Sequence, residues 1–331
     1  MSVVTASTCL FLLLFAVIGS SQAAAQAYLP PSGQVFQGVT GQPISDYETA
    51  VGKHPAIYQV FSAWGEYLPG MFADAGAAHA RLMIAISTDS WSRQLITPQG
   101  IADGRGDAWL IALNHQIAAS GHPVYIRLMA EMDNYNNSWC AYNVDGSSRG
   151  PSHSAREYRL AWKRATLILR GGSRAHIDGV LRRLRLPPLR THADLPVGQV
   201  AMLWVPMTSG DPAIPGNQPA AFWPGRAWVD WVGTDFYSKF PNFSGLASFY
   251  ARYRSEPFVF GEYAMWGADN AAFITQLFGW VHTHARVQML VYNQGDVAAG
   301  PFRLFRYPAA TRALRSALAS PRFPAFAPDW Q

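Results

Sequence analysis

Eight short apolar runs recur along the chain, and they constrain its fold more than any other feature. Each run is rich in Val, Ile, Leu and aromatic residues, and most are separated by about 15 to 40 residues that include helical periodicity. Apolar strands that alternate with helices indicate a parallel sheet covered on both faces, and eight such units are the number that closes a (β/α)8 TIM barrel. The predicted strands are 34–40, 56–62, 80–87, 123–129, 199–205, 231–237, 257–262 and 286–292.

An open, doubly wound sheet is the alternative fold. No glycine-rich phosphate loop follows any of the eight runs, which counts against a nucleotide-binding sheet of that kind. We find no domain break after the N-terminal segment. The sequence therefore predicts an α/β fold, a single barrel domain over residues 28–331.

The N-terminal segment has the features of a signal peptide. Residues 10–18 are apolar, and the small-residue run 23–27 supplies two A-x-A cleavage patterns, although no Lys or Arg precedes the apolar stretch. We predict a signal peptide over residues 1–27, cleaved after Ala25 or Ala27, and a secreted protein that is extracellular or periplasmic. The alternative is an uncleaved membrane anchor.

Composition narrows the function classes. Only 14% of the 331 residues are charged, against an average of about 25%, and the formal net charge of +5 includes no block of Lys or Arg. A nucleic-acid binder would be expected to carry such blocks. The 12 Trp residues indicate aromatic platforms, for which sugar rings are frequent ligands.

Two helices and two irregular stretches can be placed between the strands. Asp107 is predicted to cap a helix that ends at Gly121, and a second helix begins at Ser154. Residues 170–196 carry six Arg, interpreted either as a solvated face or as a contact for an acidic polymer. Residues 208–224 hold four Pro and predict a long loop on the catalytic face.

Two glutamates end otherwise apolar runs, and they carry the predicted chemistry. Glu131 follows the fourth run and Glu262 ends the seventh. Active-site groups of a barrel project from the carboxyl ends of its strands, so these two carboxylates would face one bound substrate. Paired carboxylates on either side of a glycosidic bond are the machinery of glycoside hydrolysis. The alternative is that each Glu forms an internal salt bridge, for example Glu131 with Arg127.

These segments also resemble a known family. The segment IRLMAEMD, with Trp139 shortly after it, is similar to the acid/base motif of glycoside hydrolase family 26, the β-mannanase family of retaining (β/α)8 enzymes. Three further segments resemble the fifth, sixth and nucleophile strands of that family: VAMLWVP at 200–206, WVDWVGTDFY at 228–237 and FGEYA at 260–264. The resemblance runs from about residue 34 to residue 314.

The resemblance implies roles for individual residues. Glu131 is implied as the general acid/base and Glu262 as the nucleophile, with Tyr237 as the tyrosine that hydrogen-bonds the nucleophile. Asp235 shares strand parity with Tyr237 and is expected to face inward, where Arg127 could neutralise it. Whether Asp235 and Arg127 form a supporting ion pair or take a direct catalytic part stays open.

The chain departs from the family pattern at two positions. Ala130 stands where the family has His before the acid/base, and Met207 stands where it has Asn after the fifth strand. Both changes remove polar groups near the first subsite. Mannan, glucan and xylan therefore all stay open as substrates.

Aromatic residues near strand ends are the predicted sugar platforms. Trp64, Trp91, Trp139 and Trp266 follow the second, third, fourth and seventh strands. Tyr292, Asn293 and Gln294 end the eighth strand and are predicted to bind sugar hydroxyls. The full set of predicted substrate-binding residues is Arg127, Tyr237, Trp64, Trp91, Trp139, Trp204, Asp235, Trp266 and Tyr292.

The sequence thus predicts a secreted, monomeric, retaining glycoside hydrolase, an endo-acting β-glycanase. His282 and His284 lack zinc-ligand spacing with an acidic partner, so no metal or other cofactor is predicted. The expected partner is a β-linked polysaccharide or oligosaccharide, with no nucleic acid and no stable membrane insertion after cleavage. The alternatives are a catalytically silent polysaccharide-binding barrel and a related hydrolase of an acidic polymer.

Overall fold

Eight parallel strands close into one barrel. The computed structural model describes residues 28–41, 43–90 and 93–331, so the predicted signal peptide lies outside the described residues. Each strand pairs with the next along the chain, and the last pairs with the first. The strands are β1 (Phe36–Thr40), β2 (Ile57–Ala63), β3 (Arg81–Ser87), β4 (Val124–Leu128), β5 (Val200–Trp204), β6 (Trp231–Tyr237), β7 (Phe258–Ala264) and β8 (Val287–Asn293).

Helices follow the strands and surround the barrel. They are α1 (Ile44–Val51), α2 (Leu68–Ala77), α3 (Pro98–Ala102), α4 (Asp107–Ser120), α5 (Ala155–Arg170), α6 (Arg174–Arg183), α7 (Pro219–Phe222), α8 (Phe243–Arg252), α9 (Ala271–Thr283) and α10 (Pro308–Leu318). All eight predicted strands are confirmed, and so is the (β/α)8 fold. No helix in the described ranges has the length and apolarity to span a bilayer.

Side-chain alternation divides each strand between two cores. One parity fills the barrel interior and the other packs beneath the helices, as the pleat of a strand requires. The interior core includes Phe36, Ile57, Met83, Tyr125, Ala201, Leu203, Trp231, Val259 and Met289. The register between β1 and β8 sets Thr40 beside Asn293 at their carboxyl ends. Inward residues of this last layer therefore line the mouth of the barrel.

Residues from both ends of the domain cover the amino-terminal end of the barrel. Trp330 and Tyr28 pack against the interior core. Arg81 donates from Nε to Asp329 Oδ1 at 2.6 Å, and from Nη1 to the Tyr125 hydroxyl at 3.0 Å. Only the carboxyl ends of the strands are left to open into a cleft.

The predicted helix cap at Asp107 is wrong, whereas the predicted start of the second helix at Ser154 is right to within one residue. Asp107 is the first residue of α4 and not its cap; its buried carboxylate accepts bonds from Arg164 Nε at 2.7 Å and Nη2 at 2.6 Å. Ser154 does cap α5, accepting a bond from the Glu157 N–H at 3.3 Å. Part of the predicted loop 208–224 is helical, with a 3-10 turn at Pro215–Asn217 followed by α7.

Candidate active site

A cleft of about 830 Å³ opens at the carboxyl ends of the strands. It brings together five predicted residues: Arg127, Glu131, Asp235, Tyr237 and Glu262. Its remaining walls come from the ends of β2 and β3 and from the loops that follow β4 to β8. The wall residues include Phe61, Ala85, Ser87, Ala130, Asn134, Trp139, Met207, Asp211, Phe240, Trp266 and Phe302.

Glu262 is held by three donors that come from three strands. Arg127 Nη1 donates to Oε1 at 2.7 Å, and Asn293 Nδ2 donates to Oε2 at 2.8 Å. The Tyr237 hydroxyl also donates to Oε2. Glu262 is 8% exposed, and that exposed part faces the cleft. The carboxylate therefore has a fixed direction toward the place where a substrate would lie.

Arg127 joins the two buried carboxylates at the floor of the cleft. Its Nη2 lies 2.8 and 2.7 Å from the two oxygens of Asp235, while Nη1 also donates to Gln59 Oε1 at 2.8 Å. Arg127 thus pairs with Asp235 and Glu262. Burial, followed by the charges of Glu262 and Glu131, raises the pKa of Asp235 in spite of this ion pair. One guanidinium is thus shared between two acidic side chains at the floor of the cleft.

Gly261 makes room for this ion pair. A Cβ at residue 261 would lie 2.7 Å from Arg127 Nε and 2.9 Å from Asp235 Oδ1, closer than side chains pack. The missing side chain lets the guanidinium lie against the backbone of β7. The sequence did not predict this role of Gly261, and it predicted Asn293 to bind sugar hydroxyls, not Glu262. Strand parity was the available signal for Asn293, because Asn293 alternates with the interior residues Met289 and Val291.

Glu131 reaches the cleft through a strained turn that follows β4. Met129 has φ 49° and Glu131 has φ 47°, a left-handed conformation that is uncommon for residues other than Gly. Side chains from the next loop hold the turn. Asn137 Nδ2 donates to the Glu131 carbonyl at 2.9 Å, and Trp139 Nε1 donates to the Ala130 carbonyl at 2.9 Å. Trp139 therefore supports the backbone that carries Glu131 in addition to lining the cleft.

The surroundings of Glu131 favour its protonated form. Burial raises the pKa of the Glu131 carboxyl, and the nearby charge of Glu262 raises it further. Asn134 acts in the opposite direction, since its Nδ2 donates to Glu131 Oε2 at 2.9 Å. Asn136 fixes the orientation of that amide by donating twice to Asn134 Oδ1 at 3.0 Å. A carboxyl group with a raised pKa is the kind that can act as a general acid near neutral pH.

Asp133 is a further acidic group beside the site that sequence reasoning did not single out. It is fully buried, and its Oδ1 accepts a bond from the Met207 N–H at 2.9 Å. Its Oδ2 has no hydrogen-bond partner among the described residues. Burial raises the pKa of Asp133 well above its usual value, so the neutral acid is the favoured form in the folded protein.

The predicted aromatic platforms divide into three groups. Trp139 and Trp266 line the cleft, whereas Trp64 lines a separate pocket beyond β2 and β3. Trp91 lies outside the described residues. Phe61, Phe240 and Phe302 are cleft aromatics that the prediction did not include.

Trp204 and Tyr292 are not at the cleft, which corrects their predicted role in substrate binding. Both are fully buried and have the outward parity of their strands. Trp204 packs against Trp223 and Tyr253, with ring centroids 4.8 and 5.1 Å away. The Tyr292 hydroxyl donates to the Phe302 carbonyl at 2.9 Å. Their position near a strand end is right, but the pleat turns their side chains toward the helices.

Within residues 28–41, 43–90 and 93–331, no group of three or more His, Cys, Asp or Glu side chains is placed to hold a metal ion.

Comparison with solved structures places the barrel among known proteins. The chain aligns with the Bacillus subtilis mannanase man26 over 92% of this chain and 89% of that chain, with a TM-score of 0.56 and 14% identity. It shares its fold with the family 26 β-mannanases. A β-mannanase of that family from Bacteroides ovatus aligns over 92% and 93% of the two chains, with a TM-score of 0.56 and 13% identity.

A Cellulomonas fimi endo-β-1,4-mannanase double mutant aligns over 91% of this chain and 74% of its own length, with a TM-score of 0.58 and 17% identity. No protein-family model and no curated protein matches the sequence itself. The predicted resemblance to family 26 is therefore confirmed at the level of the fold.

Proposed function

We propose that the protein is a retaining glycoside hydrolase that cleaves a β-linked polysaccharide. One observation carries the proposal: a carboxylate oriented by three donors and a carboxyl group with a raised pKa face the same cleft. Glycoside hydrolysis needs one group of each kind, placed on opposite sides of the bond to be broken.

In the first step, the Glu131 carboxyl gives its proton to the glycosidic oxygen, and the bond from that oxygen to the anomeric carbon breaks. A Glu262 oxygen bonds to the anomeric carbon on the opposite side, forming a covalent glycosyl ester. In the second step, a water molecule gives a proton to the Glu131 carboxylate and attacks the anomeric carbon, which releases Glu262. We expect the two carboxyl groups to lie about 5 to 5.5 Å apart, the separation typical of retaining enzymes.

Arg127 and Tyr237 prepare Glu262 for this attack. Both donate to its carboxylate and orient it, and the Tyr237 hydroxyl reaches the oxygen that Asn293 also contacts. Asp235 neutralises the other arm of Arg127 and fixes its plane. All three act by positioning the nucleophile, because their polar groups are engaged with each other at the cleft floor.

The proposed substrate is a β-glycan that is cleaved within its chain. The similar solved structures are named as mannanases, which puts β-mannan first among the candidates. Ala130 and Met207 are apolar residues in the cleft wall where the family has polar ones, so glucan and xylan are tested beside mannan. We also propose that the protein is exported after cleavage of residues 1–27 and acts as a monomer. N-terminal sequencing of the exported protein would show a chain that begins after Ala25 or Ala27.

The deciding experiment is the release of reducing ends from a panel of β-glycans. Wild type is expected to release them, and Glu262→Gln is expected to lower the rate by a factor on the order of 10³ or more. Glu66→Gln, which changes an exposed glutamate outside the cleft, serves as the matched control and should retain full activity. Binding of a glycan without turnover by wild type and variant alike would instead support a silent polysaccharide-binding barrel.

A further inference from the structure

Two exposed cations lie near tryptophans of the catalytic face: Lys239 lies over Trp266, and Arg105 lines a pocket together with Trp64. The first is Lys239, which follows β6. Its ammonium lies 4.5 Å from the ring centroid of Trp266 and 5.4 Å from that of Phe240, and both rings line the cleft. Lys239 is exposed and forms no ion pair with any described residue. Its charge is therefore available to a ligand that lies on this wall.

The second cation, Arg105, stands at a smaller pocket beyond β2 and β3. This pocket has a volume of about 340 Å³ and is lined by Trp64, Gln94, Leu95, Ile96, Thr97 and Arg105. It adjoins the cleft, because the Trp64 N–H donates at 3.0 Å to the carbonyl of Ser87, a residue of the cleft wall. A polysaccharide that passes over this wall would arrive at the Trp64 ring.

Trp64 is a rigid platform. Its ring lies 4.8 Å from that of Trp109, which is itself fixed by a bond from Nε1 to the Glu66 carbonyl at 3.1 Å. A Cβ at Gly106 would lie 2.4 Å from the Trp64 ring, so the missing side chain lets the indole pack closely there. A ring that is already fixed loses little conformational entropy when a sugar stacks on it.

Arg105 gives this pocket its charge. The residue is exposed, and its guanidinium pairs with no carboxylate among the described residues. The planar fork of a guanidinium binds a carboxylate or a sulfate group through two parallel hydrogen bonds. The pocket thus combines a stacking surface for a sugar ring with a donor pair for an acidic substituent.

The centre of the cleft has the opposite character. Asp211, Asp235 and Glu262 line it, and Arg127 is the cation engaged by the last two. An acidic sugar at the centre would be repelled, whereas the two ends would attract it. The net charge of +5 adds a weaker attraction for a polyanion over the whole molecule.

We propose that the substrate is an anionic polysaccharide. Its acidic sugars bind at Lys239 and Trp266 on one side and at Trp64 and Arg105 on the other, while neutral sugars span the bond that is cleaved. This inference rests on the proposed hydrolase function and assigns that enzyme a substrate class. The charged groups can be the carboxylates of uronic acids or sulfate esters, which share the same recognition chemistry.

The test compares acidic β-glycans with the same glycans after neutralisation. Uronate-containing glycans are converted by carboxyl reduction and sulfated glycans by desulfation, so the two arms distinguish the two sources of charge. Wild type is expected to prefer an acidic form by about tenfold in kcat/KM, with about threefold from each of the two exposed cations. The preference should shrink as salt is added, because these charges are exposed.

Variants assign the preference to the two cations. Lys239→Ala and Arg105→Ala are each expected to lower kcat/KM on the acidic glycan about threefold more than on its neutralised form. Lys239→Arg should keep most of the preference. Lys163→Ala is the matched control. The Lys163 ammonium also lies over a tryptophan ring, 5.8 Å from the centroid of Trp228. Neither residue lines the cleft or the smaller pocket.

Binding by Glu262→Gln separates this inference from the proposed function. The variant is expected to bind the acidic glycan about tenfold more tightly than its neutralised form, whether or not wild type cleaves it. Tighter binding without any cleavage by wild type would support the anionic ligand and contradict the hydrolase. Cleavage with equal or greater preference for the neutralised glycan, or equal losses on both forms in the two alanine variants, would overturn the inference and leave the hydrolase standing.

Discussion

At the scale of single residues, the acidic side chains of the site have few positively charged partners. Arg127 is the cation that faces both Asp235 and Glu262, and it does not reach Glu131 through a hydrogen bond in the structure. Glu131 is left with an amide donor, Asn134. Glu262 is thus paired with a full charge, while Glu131 is paired with a neutral group. This difference is what two carboxyl groups with separate roles require.

The hydrogen bond from Asn134 gives a prediction about pH dependence. The first chemical step needs a protonated Glu131, so kcat/KM falls as the pH rises through the pKa of this group. Burial raises that pKa, and Asn134 lowers it by stabilising the carboxylate. Removing the donor with Asn134→Ala should therefore move the alkaline limb of the kcat/KM profile upward by about one pH unit.

The measurement is the pH profile of kcat/KM for wild type and Asn134→Ala on one substrate. Asn143→Ala provides the control, since Asn143 is exposed and lies outside the cleft. An alkaline limb that stays in place or moves downward would show that Asn134 does not set the protonation of Glu131.

Asp133 gives a prediction about stability. Its folded-state pKa is raised by burial, so its contribution to stability is complete below the ordinary Asp pKa of about 3.9 and is lost as the pH rises through the folded-state value. Asp133→Asn mimics the neutral acid and keeps an oxygen for the Met207 N–H. We expect it to raise the free energy of unfolding at pH 8 by about 1 kcal/mol or more, seen as a Tm higher by about 2 °C.

At pH 3 the same substitution should change the Tm little, because both side chains are then neutral. A lower Tm for Asp133→Asn at pH 8 would contradict the assignment of a neutral acid. Thermal unfolding followed by circular dichroism at both pH values decides between the two outcomes.

At the scale of elements, strand parity decides which side chains reach the site. The inward positions of Asp235 and Tyr237 follow from it, and both line the cleft. Glu262 lines the cleft too, but Val259 has the inward parity of β7, and Glu262 turns inward where the pairing of β7 with both neighbouring strands shifts register. Trp204 and Tyr292 were placed by residue type near a strand end, without regard to parity, and both point toward the helices. Asp107 shows a second limit of prediction from sequence. A carboxylate at the start of a helix can cap the helix or form an ion pair, and the local sequence does not distinguish the two. Its partner, Arg164, comes from another helix, so the contact is tertiary.

The Arg164–Asp107 pair holds α4 to α5, and breaking it should be costly. Both side chains are fully buried, so Asp107→Ala leaves an unpaired guanidinium in the core. We expect a loss of about 3 to 5 kcal/mol in the free energy of unfolding, measured by urea denaturation. The partly exposed pair Arg174–Asp178 is the matched control, and Arg174→Ala should cost less than about 1 kcal/mol. Similar losses of unfolding free energy in the two variants would show that the buried pair does not stabilise the protein more than the control pair.

At the scale of the whole molecule, the barrel was predictable because its signal is repeated eight times. Each apolar run is ambiguous alone, but their number and spacing match one closed parallel sheet. The pair of glutamates was predictable for the same reason, because strand order fixes where each carboxyl end lies. The contacts that position the two glutamates were harder to predict from the sequence. Gly261, Asn293 and Asn134 act through distances between loops and neighbouring strands, which local sequence does not encode.

The central claim is that Glu262 attacks the anomeric carbon and forms a covalent intermediate. The most direct test is to incubate wild type with a 2-deoxy-2-fluoro β-glycosyl fluoride of a sugar that it cleaves, and to map the adduct by mass spectrometry of peptides. The proposed mechanism predicts a single glycosyl group on Glu262 that is absent when Glu262→Gln is treated in the same way. An adduct on another residue, or continued hydrolysis of the natural glycan with no adduct at all, would contradict it.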